Sequence, residues 1–264
     1  MIRYIQNELK QSLRRREAVF YLIGIIAACV LANLSIIAFR DMLYGTNDGT
    51  YAYNIIMFAG GFFWVPYYTM IFIADIVFGK TYPDPYLRNR ANMGLRRYQM
   101  YFGKLITCYI VLLLYVAAAF VLFLGISFLF QMSAGEMEAS VIRDFALDLV
   151  YAFPLFMTGI TIANMFLFMF YDKRVAYAAY FGLVIVLERL IMIFGAEPFS
   201  IGGFKWIKDT LLITPQFTTL QFFATRNMPK ILVTSIVYIA VSAVTGCICF
   251  LKKDTAKRRA GNRG

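Results

Sequence analysis

The stretch LITCYIVLLLYVAAAFVLFLGISFLF, from Leu105 to Phe130, contains no charged side chain. With a rise of about 1.5 Å per residue, an α-helix of this length exceeds the ~30 Å hydrocarbon core of a bilayer. Five further runs share this character: Ala18 to Phe39, Asn54 to Phe78, Ala146 to Phe170, Val175 to Phe194 and Ile231 to Leu251. They are continuous rather than alternating in polarity, which argues against a β-barrel. A helix satisfies its own backbone hydrogen bonds where water is absent. The expected fold is an all-α membrane protein with six transmembrane helices spread over residues 18–251. The turn between the fourth and fifth is tight.

Composition agrees. Of the 264 residues, 61% are hydrophobic and only 16% charged. A soluble domain needs roughly a quarter of its residues charged to cover its surface. Here lipid must cover what water cannot.

The basic residues set the orientation. Nineteen of the 26 lysines and arginines fall in the N-terminal segment, the second and fourth connections and the tail, 252–264. Positive-inside then places both termini in the cytoplasm, as an even number of spans requires. The formal charge of +11 thus reads as a topology signal. Nucleic acid is excluded as a partner, because these residues flank spans and no soluble module carries them.

Residues 1–17 form a separate element. Ile2, Ile5, Leu9 and Leu13 recur at helical spacing with basic and amide residues between them. This pattern predicts an amphipathic helix lying along the membrane surface. The first span that follows is expected to be an uncleaved signal-anchor.

Chemistry within the chain is sparse. There is no histidine, so no Ser-His-Asp or HExxH constellation exists. Gly79-Lys80-Thr81 copies the end of a phosphate-binding loop, but Ala74 stands where its first glycine is required. No ATPase activity and no bound metal or cofactor are expected of this chain. Cys29, Cys108, Cys247 and Cys249 lie inside apolar runs and read as reduced packing residues.

Charges inside a membrane are costly and mark either interhelical ties or a transport path. Asp75 lies near the inner end of the second span, and Glu188 and Arg189 lie deep in the fifth. Neighbouring helical residues point about 100° apart, so this pair is expected to find separate partners. The second span also carries Gly60-Gly61-Phe62-Phe63-Trp64-Val65-Pro66-Tyr67-Tyr68. A proline kink and an aromatic cluster at depth are expected there. Phe63, Trp64, Tyr67, Glu188 and Arg189 are the candidate path residues, with tight packing as the rival reading. Pro154 and the pairs Gly159/Ala163 and Ser242/Gly246 read as packing devices.

The last outer connection, 195–230, is too apolar for a solvated loop. Phe204, Trp206, Leu211, Leu212, Phe217, Phe222 and Phe223 lie in it, with Pro215. Two short helices broken near Pro215 and re-entering the outer leaflet are expected, ahead of the last span.

The second connection, 79–104, contains Tyr86-Leu87-Arg88-Asn89, then Gly94-Leu95-Arg96-Arg97, then Lys104 at the start of span three. This resembles the membrane-spanning subunits of ABC-2-type ABC transporters, in which a glycine, an arginine and a lysine recur at this spacing after a basic-asparagine pair. Thr81 replaces the acidic residue of that pattern, and Pro85-Tyr86 replaces its Gly-Thr. The whole layout is also similar: a surface helix, six spans, both ends inside and an apolar outer segment. The resemblance implies that this connection is a coupling loop seated on a separate ATPase subunit. Arg88, Asn89, Gly94, Leu95, Arg96, Arg97 and Lys104 would serve the coupling, and ATP and Mg would bind at the partner. It further implies export across a prokaryotic inner membrane and pairing with a second permease chain. A different class remains alongside, a self-sufficient secondary transporter or channel using Asp75, Glu188 and Arg189.

Overall fold

The computed structural model describes residues 1–43, 61–79, 96–131, 139–170, 172–196, 202–220 and 228–261. Among them no strand occurs, and helices account for nearly all residues. In chain order these are α1 (Ile2–Leu13), α2 (Arg16–Leu43), α3 (Trp64–Phe78), α4 (Arg97–Gln131) and α5 (Ala139–Met169). They continue with α6 (Lys173–Phe194), α7 (Gly202–Thr210), α8 (Thr214–Leu220) and α9 (Met228–Gly261). The protein is an α-helical membrane protein. Five helices, α2, α4, α5, α6 and α9, are long and apolar enough to cross a bilayer. The sixth expected span is described only from Gly61 onward, and its helix α3 has 15 residues.

Helix α5 is the axis of the bundle. In its apolar window 56% of the residues are buried, against 17% for α2 and α6. α3 and α9 pack along it. Gly159 lets the Tyr67 ring lie against α5, where an added β-carbon would come within 2.7 Å of Tyr67 Cδ2. Gly246 brings α9 within contact of the α5 backbone at Met165. Small residues thus allow close helix approach in lipid, where burial alone gives little drive for association. Polar pairs add directional ties. Tyr109 and Thr161 hydroxyls lie 2.7 Å apart between α4 and α5, and Ser127 donates to Asn33 Oδ1 at 2.6 Å between α4 and α2.

The outward faces are apolar. Phe20 is 70% exposed and Leu129 71%. Such surfaces are unsuited to water and suited to hydrocarbon. All four cysteines are free thiols, with Cys29 and Cys108 buried.

Two expected breaks can be placed to the residue. The expected interruption beside Pro66 is present among the described residues, since Pro66 lacks the N–H that would bond the Phe62 carbonyl. The chain turns at Phe62–Phe63, and α3 begins at Trp64, so Pro66 falls in the first turn, where a missing N–H costs nothing. The outer segment holds two short helices broken near Pro215, as expected: the break lies at 211–213, and Pro215 sits in the first turn of α8. In α6 the middle stretch Gly182–Leu187 is a π-helix. Its wider turn resets the rotation of everything after it.

Candidate functional site

The functional candidates gather at the two ends of α3. At its C-terminal end a helix leaves its last carbonyls without intrahelical donors. Gly79 N–H bonds the Asp75 carbonyl, and the next two carbonyls are met by cations from elsewhere in the chain. Arg15, just after α1, donates from Nη1 to Ile76 O at 2.6 Å. Lys104 of α4 donates from Nζ to Val77 O at 3.3 Å. Positive charge is favoured there by the helix dipole as well. Gly79 closes the helix at φ 51°, and any β-carbon on it would collide with the Arg15 guanidinium. Glycine is required twice over.

Lys104 is itself held. Its ammonium pairs with Glu8 Oε2 of α1 at 3.3 Å and lies 5.0 Å from the centre of the Phe78 ring. The side chains of Lys104 and Glu8 are 1% and 2% exposed. One turn back on α3, the Asp75 carboxylate is paired with Lys173 and accepts from Tyr177 OH at 3.1 Å, both on α6. Three helices therefore converge on the last turn of α3.

At the opposite end, the aromatic residues face a different set of partners. Phe63 is buried against Phe145 and Phe156. Tyr67 packs on Phe217 of α8, with centroids 5.5 Å apart, and its carbonyl accepts from Tyr180 OH at 2.8 Å. Trp64 stays half-buried, with the Arg189 guanidinium 5.6 Å from its ring centre. Glu188 is buried and accepts a hydrogen bond from Thr214, the first residue of α8. Tyr68 OH reaches the same Thr214 hydroxyl at 3.2 Å. Glu188 thus points into the bundle and Arg189 out of it, each with its own partner.

Of the expected coupling residues, Arg88, Asn89, Gly94 and Leu95 lie outside the described residues. Arg96 caps α4, its N–H donating to Gln99 Oε1 at 2.9 Å as in half of a capping box, and Arg97 opens the helix. Lys104 lies two turns inside and is buried, so it cannot itself touch a partner protein. Reading the sequence misses Glu8, Arg15 and Lys173, which lie in stretches taken only as basic or amphipathic. It also passes over Asp148, an acid within the fourth apolar run that is buried. Among the described residues no group of three His, Cys, Asp or Glu side chains could hold a metal ion.

No protein-family model matches this chain, and no curated protein matches it.

Proposed function

We propose that this chain is the transmembrane permease subunit of an ABC-2-type ABC transporter, an exporter driven by a separate ATPase subunit. In this reading α3 completes a sixth span, both termini face the cytoplasm, and the membrane is a cell (inner) membrane. Residues 79–104 are the coupling loop, and ATP and Mg act in the partner.

One observation carries the reading: the helix that leads into this loop ends in a turn gripped by α1, α4 and α6. A loop that receives force needs a rigid base, and ties through Arg15, Lys104 and Lys173 provide one. The sequence register from Gly94 through Arg97 to Lys104 supports it further. Replacing Leu95, Arg96 and Arg97 together by alanine should release the ATPase from the purified protein while insertion and melting stay as in wild type. Undiminished co-purification would remove the basis for the coupling loop.

At the other end, α7 and α8 form the proposed re-entrant outer segment. Helix α8 is the inner of the two, with Phe217 and Leu220 fully packed, whereas Trp206 on α7 is 60% exposed. Phe63, Trp64, Tyr67, Glu188 and Arg189 border the proposed path and, through Arg189, the second permease chain. The ion-path alternative gains no support from Asp75, which is engaged by Lys173 and Tyr177.

A further inference from the structure

Helix α1 carries three faces rather than two. Ile2 is 73% and Leu13 45% exposed, and Lys10 and Arg14 are exposed as well. The face against the bundle is instead Tyr4, Glu8 and Ser12, one turn apart and all buried. A polar seam therefore fastens α1 to the protein, with Leu9 beside it packed on the core, and leaves Ile2 and Leu13 at the two ends of the apolar stripe exposed. The seam is tight: an added β-carbon on Gly103 would come within 2.7 Å of Tyr4 Cε1. Ser12 Oγ donates to the Glu8 carbonyl at 2.7 Å within the seam.

What this seam touches gives it a role. Residues 80–95 leave α3 at Gly79 and rejoin the described chain at Arg96. Glu8 holds Lys104, Lys104 holds the Val77 carbonyl, and Arg15 holds the Ile76 carbonyl. The helices on both sides of the connection are thus tied to α1 and to the turn that follows it. A buried ammonium is stable only when paired and hydrogen-bonded, and Glu8 supplies the opposite charge.

We propose that Glu8 is a positioning residue for coupling: through Lys104 it makes α1, the end of α3 and the start of α4 move as one body when residues 80–95 are pushed. The proposal rests on the reading of 79–104 as the coupling loop. It separates two roles an ion pair can have, holding a fold together and transmitting a displacement.

The test uses the full chain in lipid nanodiscs with the ATPase that co-purifies with it. The native cysteines are replaced, and spin labels are placed at Val150→Cys and Trp206→Cys. Inter-label distance is compared without nucleotide and with Mg-ATP and vanadate. In Glu8→Gln the amount of bound ATPase and its basal hydrolysis should match wild type. The fraction of molecules showing the nucleotide-driven distance shift should fall at least about fivefold. The charge swap Glu8→Lys/Lys104→Glu restores the pair but not the donor to Val77 O, and should recover about half of the shift. If Glu8→Gln does not insert, the swap decides: recovery supports the proposal, and an inserted swap protein without recovery overturns it. A normal shift in Glu8→Gln overturns it, as does loss of the ATPase from that variant, which would make Glu8 a docking or folding residue. If the wild-type chain never carries an ATPase, the coupling reading fails and takes the proposal with it.

Discussion

The two ends of α3 are built by different physics. At the Phe78 end, charged side chains from α4, α6 and the turn after α1 fasten backbone carbonyls and a carboxylate, and the central pair is almost fully buried. At the Trp64 end, ring packing dominates, and one threonine hydroxyl links Glu188, Tyr68 and α8. Hydrogen-bonded charges in a low-dielectric site have few alternative arrangements, so removing one is costly. An aromatic pair adds only about 0.5–1.5 kcal/mol beyond its burial and admits both offset-stacked and edge-to-face arrangements. The first end is suited to transmitting displacement and the second to undergoing it.

The sharpest way to break this contrast is Lys104→Met. It fills the same volume but leaves the Glu8 carboxylate without its cation and the Val77 carbonyl without its donor. Breaking a buried pair from one side costs about 3–5 kcal/mol. A loss of that size should appear as a lowered melting temperature of the purified protein. Amide exchange should rise in α1 and the last turn of α3, and stay unchanged in α8. A melting temperature equal to wild type would mean that the pair is decorative and that the two ends do not differ in kind.

The helices of this bundle were legible from composition and run length, because a long uncharged run has few other fates. The ties were not. Ile2, Ile5, Leu9 and Leu13 identified α1 as a helix, yet its fully buried positions are Tyr4, Glu8 and Ser12, with only Leu9 of the stripe packed on the core. An apolar stripe indicates core contact in water, whereas beside a bilayer it serves lipid equally well. Lys104 stood out by its spacing, but its partners are a carboxylate nearly a hundred residues away and a backbone carbonyl. Backbone acceptors carry no sequence signal. Glu188 and Arg189 were expected to part company, and they do. Which of them faces inward depends on the π-turn at Gly182–Leu187, which an ideal 3.6-residue repeat does not anticipate. The count of six spans rests on residues before Gly61 that lie outside the described residues.

Phe217→Ala should act at the other end of α3. The ring is fully buried between Tyr67 and Phe156, with centroids at 5.5 and 5.3 Å. Truncation leaves a cavity and costs about 3–5 kcal/mol if the site cannot collapse. A site that re-packs easily should lose clearly less, so the expected value lies below that of Lys104→Met. Exchange should increase in α8 and the start of α3 and leave α1 protected. Equal loosening of both ends would show that α3 transmits every disturbance along its length, and the division drawn above would fall.

The smallest effect is expected at Arg189, where two terms oppose. Its guanidinium over Trp64 is worth about 0.5–1 kcal/mol at an exposed site. Against this stands the cost of a charge on a span's outward face, which translocon-based scales put at about 2.5–3.5 kcal/mol at mid-bilayer and which snorkelling or a second chain reduces. Arg189→Gln removes both, so the melting temperature of the solubilised monomer should move little in either direction. Emission isolates the local contact. The chain has two tryptophans, and a Trp206→Phe background leaves Trp64 as the single reporter. Arg189→Gln should shift the Trp64 spectrum, whereas Arg189→Lys should retain most of the wild-type spectrum by keeping a cation over the ring. In a bilayer the same variant should change the monomer–dimer balance if this face meets a second chain, because the charge is then shared between copies. An unchanged Trp64 spectrum would mean that the guanidinium has left the ring for the headgroups. The Trp64 end would then have no charged tie on its outer side, and the contrast between the ends of α3 would be larger than drawn here.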